Sequence, residues 1–166
     1  MDLKMELTAM AANVAALLKK RKCKVSVVES SAGGLISASL LSIPGASNYF
    51  VGGGVIYTRD ARRGLLGLPE KAATMRGSCE EYALIAAQAM RERLSTDWAL
   101  CETGASGPSN NSYGDSAGHC CIAIAGPIEI AITIETESDQ REQNMWHFAS
   151  AALELLEATL RETAGD

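Results

Sequence analysis

Two adjacent serines beside a carboxylate, Glu29-Ser30-Ser31, followed by Ala32-Gly33-Gly34, offer the most direct route to chemistry in this chain. They lie between an apolar run, Val25 to Val28, and an apolar helical pattern over Leu35 to Leu41. Strand, tight turn and helix start are therefore predicted in quick succession. At such a junction the free N–H groups of the first helical turn turn their partial positive charge toward whatever occupies the turn. Ser30 is then placed to be a nucleophile or to sit beside an anion or oxyanion. The same residues also suit a plain N-cap and a tight Gly-Gly bend. The stretch matches neither G-x-S-x-G nor a phosphate loop ending in Gly-Lys-Ser/Thr.

Two further segments carry polar or small residues at predicted strand ends. After Tyr57 come Arg59, Arg62 and Arg63, the most basic patch in the sequence. A short helix is predicted from about Asp60 to Leu66, and Arg62 is three positions from Arg59 at its start, so both can face one side and clamp an anion. They can equally be solvated surface. A strand over Trp98 to Cys101 feeds the loop Thr103-Gly104-Ala105-Ser106-Gly107-Pro108, and loops at strand ends are where open α/β sheets bind ligands. Gly52, Gly53 and Gly54 precede a second strand predicted at Val55 to Tyr57. They either admit a close backbone approach or make a flexible turn.

The elements that must position these residues follow from periodicity. Leu7, Met10, Ala11, Val14, Leu17 and Leu18 fall on one helical face, closed by Lys19 to Lys22 where cations suit the helix dipole. Tyr82, Ile85, Ala86, Ala89, Met90 and Leu94 mark a long helix starting near Ser78 to Glu80. Gly118 to Ala125 and Ile128 to Thr136 read as a hairpin through Gly126-Pro127, and Met145, Phe148, Ala149, Ala152, Leu155 and Leu156 give a closing helix. The expectation is an α/β fold: a single domain of three α/β/α layers around a mixed sheet.

At 166 residues with 47% hydrophobic residues, the chain can bury a full core without staples. A net charge of -5 and no Lys/Arg-rich run argue against nucleic-acid binding. The five cysteines are odd in number and lack C-x-x-C spacing, so neither a disulfide framework nor a zinc site is signalled. They read as reduced thiols of a cytoplasmic protein. An acidic, amphipathic start and the lack of a long apolar run give no signal peptide and no membrane span.

These motifs, in order and spacing, resemble the CinA C-terminal domain family, whose best-known activity is nicotinamide mononucleotide deamidation. The family's ESCTGG corresponds to Glu29-Ser30-Ser31-Ala32-Gly33-Gly34, its pGaS to Pro44-Gly45-Ala46-Ser47, and its GIAGP to Gly104-Ala105-Ser106-Gly107-Pro108. The resemblance implies hydrolysis of a nicotinamide-nucleotide amide with no metal or organic cofactor, a small-molecule nucleotide as partner, and a homo-oligomer. It carries Ser30 over as nucleophile, with Tyr57 and Arg62 in the catalytic set. Glu29, Ser31, Gly33, Gly34, Arg59, Thr103, Gly104, Ala105, Ser106 and Gly107 are expected to bind substrate, and the amides near Ala32 to Gly34 to serve as oxyanion donors.

The pattern breaks at the base. Arg62 stands where the family has lysine, and a guanidinium with a pKa above about 12 cannot take a proton from serine. Ala32 replaces the family Thr, and Asp115-Ser116-Ala117-Gly118 replaces Lys-Pro-Val-Gly. Of the two histidines, His119 and His147, only His119 is a candidate substitute base. The alternative is a nucleotide- or phosphate-binding paralogue without catalysis. If only the base is missing, Arg62→Lys should raise deamidation about tenfold or more, in a Ser30-dependent way.

Overall fold

A computed structural model describes residues 2–163. The chain runs α1 (Leu3–Arg21), β1 (Val25–Glu29), α2 (Leu35–Leu41), β2 (Phe50–Val55), α3 (Arg59–Gly64), α4 (Glu70–Thr74), α5 (Glu80–Leu94), β3 (Trp98–Gly104), β4 (His119–Ala125), β5 (Glu129–Glu135) and α6 (Arg141–Glu162). The five strands form one mixed sheet in the order β2-β1-β3-β4-β5. β1 lies parallel to both β2 and β3, whereas β4 and β5 run antiparallel. The parallel half needs crossover connections, and α2 and the α3–α5 segment supply them.

Alternation along the central strands divides the core in two. Val25, Val27, Trp98 and Leu100 pack under α1, α2 and α6, whereas Val28, Ala99 and Cys101 pack under α5. β1 and most of β3 are buried on both faces, which accounts for their unbroken apolar runs. Glu29 and Glu102 end those two runs as buried carboxylates. Among the described residues no helix is long and apolar enough to cross a membrane.

Three boundaries differ from the sequence expectation. The second strand is Phe50–Val55, not Val55 to Tyr57, and the three glycines lie inside it. Glycine is suited to this edge position because a Cβ on Gly53 would stand 2.5 Å from the Ser37 hydroxyl of α2. The triplet is thus part of the sheet and not a flexible turn. A short α4 follows α3, and α6 begins at Arg141, four residues before its apolar face starts.

Candidate functional site

The serine turn is held from inside by the two carboxylates. Gly33 and Gly34 have φ of 66° and 104°, a left-handed geometry that makes the turn tight. Glu29 accepts from the amides of Gly34, Ile36 and Ser37 at 3.1, 2.9 and 2.9 Å, and so caps α2, which has no side-chain cap of its own at Gly34. Glu102 accepts from the amides of Ser30 and Ala32 at 3.0 and 2.8 Å, and from the Ser31 hydroxyl at 2.5 Å. Both carboxyl groups are 0% exposed. Burial pushes the Glu102 pKa above its ordinary value, and the bonds from Ser31, Ala32 and Ser30 offset this only in part.

In this arrangement the Glu29 and Ser31 side chains are engaged by the protein's own backbone and carboxylate. The amides of Ala32, Gly33 and Gly34 are not free oxyanion donors: Gly33 donates to the Ser30 carbonyl at 3.2 Å, and the other two are held by Glu102 and Glu29. Gly33 and Gly34 contribute through their backbone angles instead. The Ser30 side chain is half-buried, and its hydroxyl has no hydrogen-bond partner among the described residues.

Arg62 lies elsewhere. The serine turn docks through Ala32 on the α1/α2/α6 core, whereas Arg62 enters the core beneath α5. Its guanidinium stacks on the Tyr82 ring, 3.9 Å from the centroid, and Nη1 donates to the carbonyls of Ala73 and Met75 at 3.2 and 2.9 Å. The side chain is 6% exposed. As a guanidinium held by Tyr82 and two carbonyls, Arg62 cannot take a proton from Ser30.

His119 does not replace it. Nδ1 faces the Glu135 carboxylate at 2.5 Å and Nε2 faces the Ser78 carbonyl at 2.9 Å, so both nitrogens meet acceptors. An imidazole can donate from both only as the cation. Burial alone would lower its pKa, but Glu135, the Ser78 carbonyl and Asp115 outweigh burial and raise it. A raised folded-state pKa gives stability that is full below the unfolded value, about 6.5, and is lost as pH rises through the folded value. Denaturant titrations from pH 6 to 9 should show this loss in the wild type and a flatter profile in His119→Gln. An equal slope in both would remove His119 from the account.

A cleft of about 190 Å³ does open at the ends of the strands. Tyr57, Gly104, Ala105, Ser106 and Gly107 line it, together with Ser109, Asn110, Asn111 and Arg141. Arg141, the first residue of α6, donates from Nη1 to the Gly107 carbonyl at 2.6 Å and from Nη2 to the Tyr57 hydroxyl at 3.3 Å. Asn144, one turn on and 0% exposed, ties the Ser106 and Ser138 carbonyls together through Nδ2. Of the expected pocket, Tyr57 and Gly104 to Gly107 come together here. Ser30 and Arg62 are not among the lining residues, and Thr103 is 3% exposed, its hydroxyl accepting from the Ser78 amide at 3.3 Å. Arg59 is exposed and likewise not among the lining residues.

Glu102, Arg141 and Asn144 were absent from the sequence reading. Glu102 lies within a run of buried strand residues, where a carboxylate signals an internal partner. Arg141 and Asn144 stand three apart ahead of the apolar face of α6, a spacing that puts both on one side of the first turn.

An α/β/α domain with this serine turn and strand-end cleft has known relatives. The family model of the CinA C-terminal domain matches residues 7–160, and the chain belongs to that family. A CinA-like protein of Desulfosudis oleivorans is 35% identical over 154 residues, covering 92% of this chain and 37% of its own length. One from Chlorobium limicola is 33% identical over 164 residues, covering 95% and 38%. The chain thus spans a little over a third of these relatives. The solved structure of a competence/damage inducible protein of Agrobacterium tumefaciens matches with a TM-score of 0.82 at 28% identity, covering 94% of this chain and 96% of that one. A CinA superfamily protein of Klebsiella pneumoniae shares the fold, with a TM-score of 0.87 at 20% identity over 94% and 98% of the two chains.

Proposed function

We propose that this CinA-family domain binds a nucleotide monophosphate in the cleft between Tyr57, Ser106 and Arg141, and does not hydrolyse an amide through Ser30. The observation that carries this reading is the internal commitment of the serine turn. Its hydroxyl at Ser31 and its amides at Ser30, Ala32, Gly33 and Gly34 already have acceptors. Acyl chemistry needs a proton acceptor for the nucleophile and free donors for the oxyanion. Here the nearest sequence candidates for the base are a buried guanidinium and a histidine with both nitrogens occupied.

Binding chemistry, by contrast, is at hand. Arg141 brings to the cleft a guanidinium that no carboxylate pairs among the described residues, and Asn110 adds a side-chain amide to the lining, whereas that of Asn111 is held by Asp115 and the Tyr113 amide. The glycines of the wall let a planar base or a ribose approach the backbone. Calorimetric titration with nicotinamide mononucleotide, as probe, is expected to give measurable affinity that Arg141→Gln weakens about tenfold, the scale of one charge-assisted hydrogen bond. The same affinity in both proteins would remove the cleft from the reading.

A further inference from the structure

Lys19 lies in the last turn of α1, yet its ammonium does not return to the helix end. The Leu18 and Lys19 carbonyls there already accept from the main-chain amides of Cys23 and Lys22. Lys19 Nζ crosses instead to the Pro44 carbonyl at 2.7 Å, and Lys24, just before β1, donates from Nζ to the Asn48 carbonyl at 2.7 Å. Both ammonium groups thus stand on the loop that contains Pro44-Gly45-Ala46-Ser47, a segment that the cleft does not use. Gly45, with φ of 85°, turns the loop so that its Cβ position lies 3.0 Å from Lys19 Nζ and 3.5 Å from Asn48 Nδ2. Ammonium and side-chain amide are therefore neighbours.

A hollow of about 340 Å³ opens among these groups, lined by Lys19, Lys22, Lys24 and Asn48. None of the three lysines forms a salt bridge among the described residues, whereas Arg63, Arg76 and Arg161 each pair with a carboxylate. Asp97 accepts from the main-chain N–H of Lys24 at 2.7 Å, not from its ammonium. Arg21 turns away, donating to the Leu160 carbonyl and the Thr163 hydroxyl. An ammonium has three protons, so Lys19 and Lys24 each keep two after bonding the loop, and Asn48 Nδ2 has no partner among the described residues. The carbonyl bonds, with the Tyr49 ring 5.8 Å from Lys19 Nζ, hold the charges in place before any ligand arrives.

We propose that Lys19, Lys22, Lys24 and Asn48 form a site for a phosphate-class oxyanion at the end of the sheet where β1 begins. Three point charges and an amide, brought from α1, the entry to β1 and the loop, suit a polyanion with several oxygens; the two coplanar oxygens of a carboxylate would engage only part of the set. β1 and β3 run parallel and the cleft lies at Gly104, the close of β3, so the two sites occupy opposite ends of the sheet. The site is independent of the nucleotide reading of the cleft.

Phosphate and pyrophosphate titrated into the full chain by calorimetry, at constant ionic strength, test it. Pyrophosphate is expected to bind more tightly than phosphate, and Lys19→Gln and Lys24→Gln each to weaken it about fivefold, with Lys71→Gln on α4 as the surface control that leaves it unchanged. Amide shifts on titration should appear at Lys22, Gly45 and Asn48. If Lys24→Gln weakens ribose 5-phosphate by the same factor, the site takes phosphomonoesters; if only the inorganic ions bind, it takes the free anion. Absence of binding by the wild type up to about 20 mM, equal weakening by Lys71→Gln, or shifts confined to Ser106 and Asn110 of the cleft would overturn the proposal.

Discussion

Glu102→Ala is expected to lower the unfolding free energy by about 3–5 kcal/mol, the largest effect of any single substitution in the serine turn. Three donors, the amides of Ser30 and Ala32 and the hydroxyl of Ser31, would lose their acceptor in a dry environment, at about 1–3 kcal/mol each without full additivity. A cavity would add to the loss. Thermal unfolding should shift down by on the order of 10 °C for a chain of this size.

Glu102→Gln separates the hydrogen bonds from the charge. The amide oxygen can keep both backbone donors while its NH2 group donates to Ser31 Oγ, so only about 1 kcal/mol should be lost near pH 5. The raised pKa of Glu102 means that the wild type loses stability as pH rises through the folded value, and Gln does not titrate. The gap between Gln and wild type should therefore narrow toward neutral pH. Denaturant midpoints for the three proteins at pH 5 and 7.5 check this; a Gln variant as unstable as Ala at both would mean that the negative charge itself holds the turn.

Arg62→Lys is the second large effect, and its expected sign is opposite to the one drawn from sequence. The substitution was expected to supply a missing base and raise deamidation about tenfold. The structure places the side chain flat against Tyr82 with two carbonyls on Nη1, so lysine would lose the stacked planar contact and at least one hydrogen bond. A stability loss of about 2 kcal/mol is expected, with no gain in ammonia release. Urea midpoints and a steady-state assay on both proteins would show it; a stable, faster Arg62→Lys enzyme would restore the lysine position to the catalytic set.

Much of the fold could be read from the sequence because its signals are local. The unbroken Val25 to Val28 run, the period of α1, α5 and α6, and the Gly126-Pro127 hairpin all report burial on a known face. The glycine triplet misled because its reason is tertiary: Gly53 lies against Ser37 on the neighbouring helix, sixteen positions away in the sequence. The site was legible only in part. Tyr57 and Gly104 to Gly107 do line one strand-end cleft, since small residues after a strand are a local mark. Glu102 and Arg141 act across the sheet on residues more than thirty positions away, and nothing in their own neighbourhood announces that. Arg62 shows the converse: a residue type read as surface or ligand contact is a core element, because Tyr82 and the Ala73 carbonyl, on other helices, receive it.

The central claim is that Ser30 performs no amide hydrolysis in a domain that still binds a nucleotide. Single-turnover ammonia release from nicotinamide mononucleotide, with protein in excess over nucleotide, tests it for wild type and Ser30→Ala. Binding followed by ammonia release no faster than buffer, and equal in the two proteins, is the predicted result. Ammonia release by the wild type that Ser30→Ala abolishes would contradict the account.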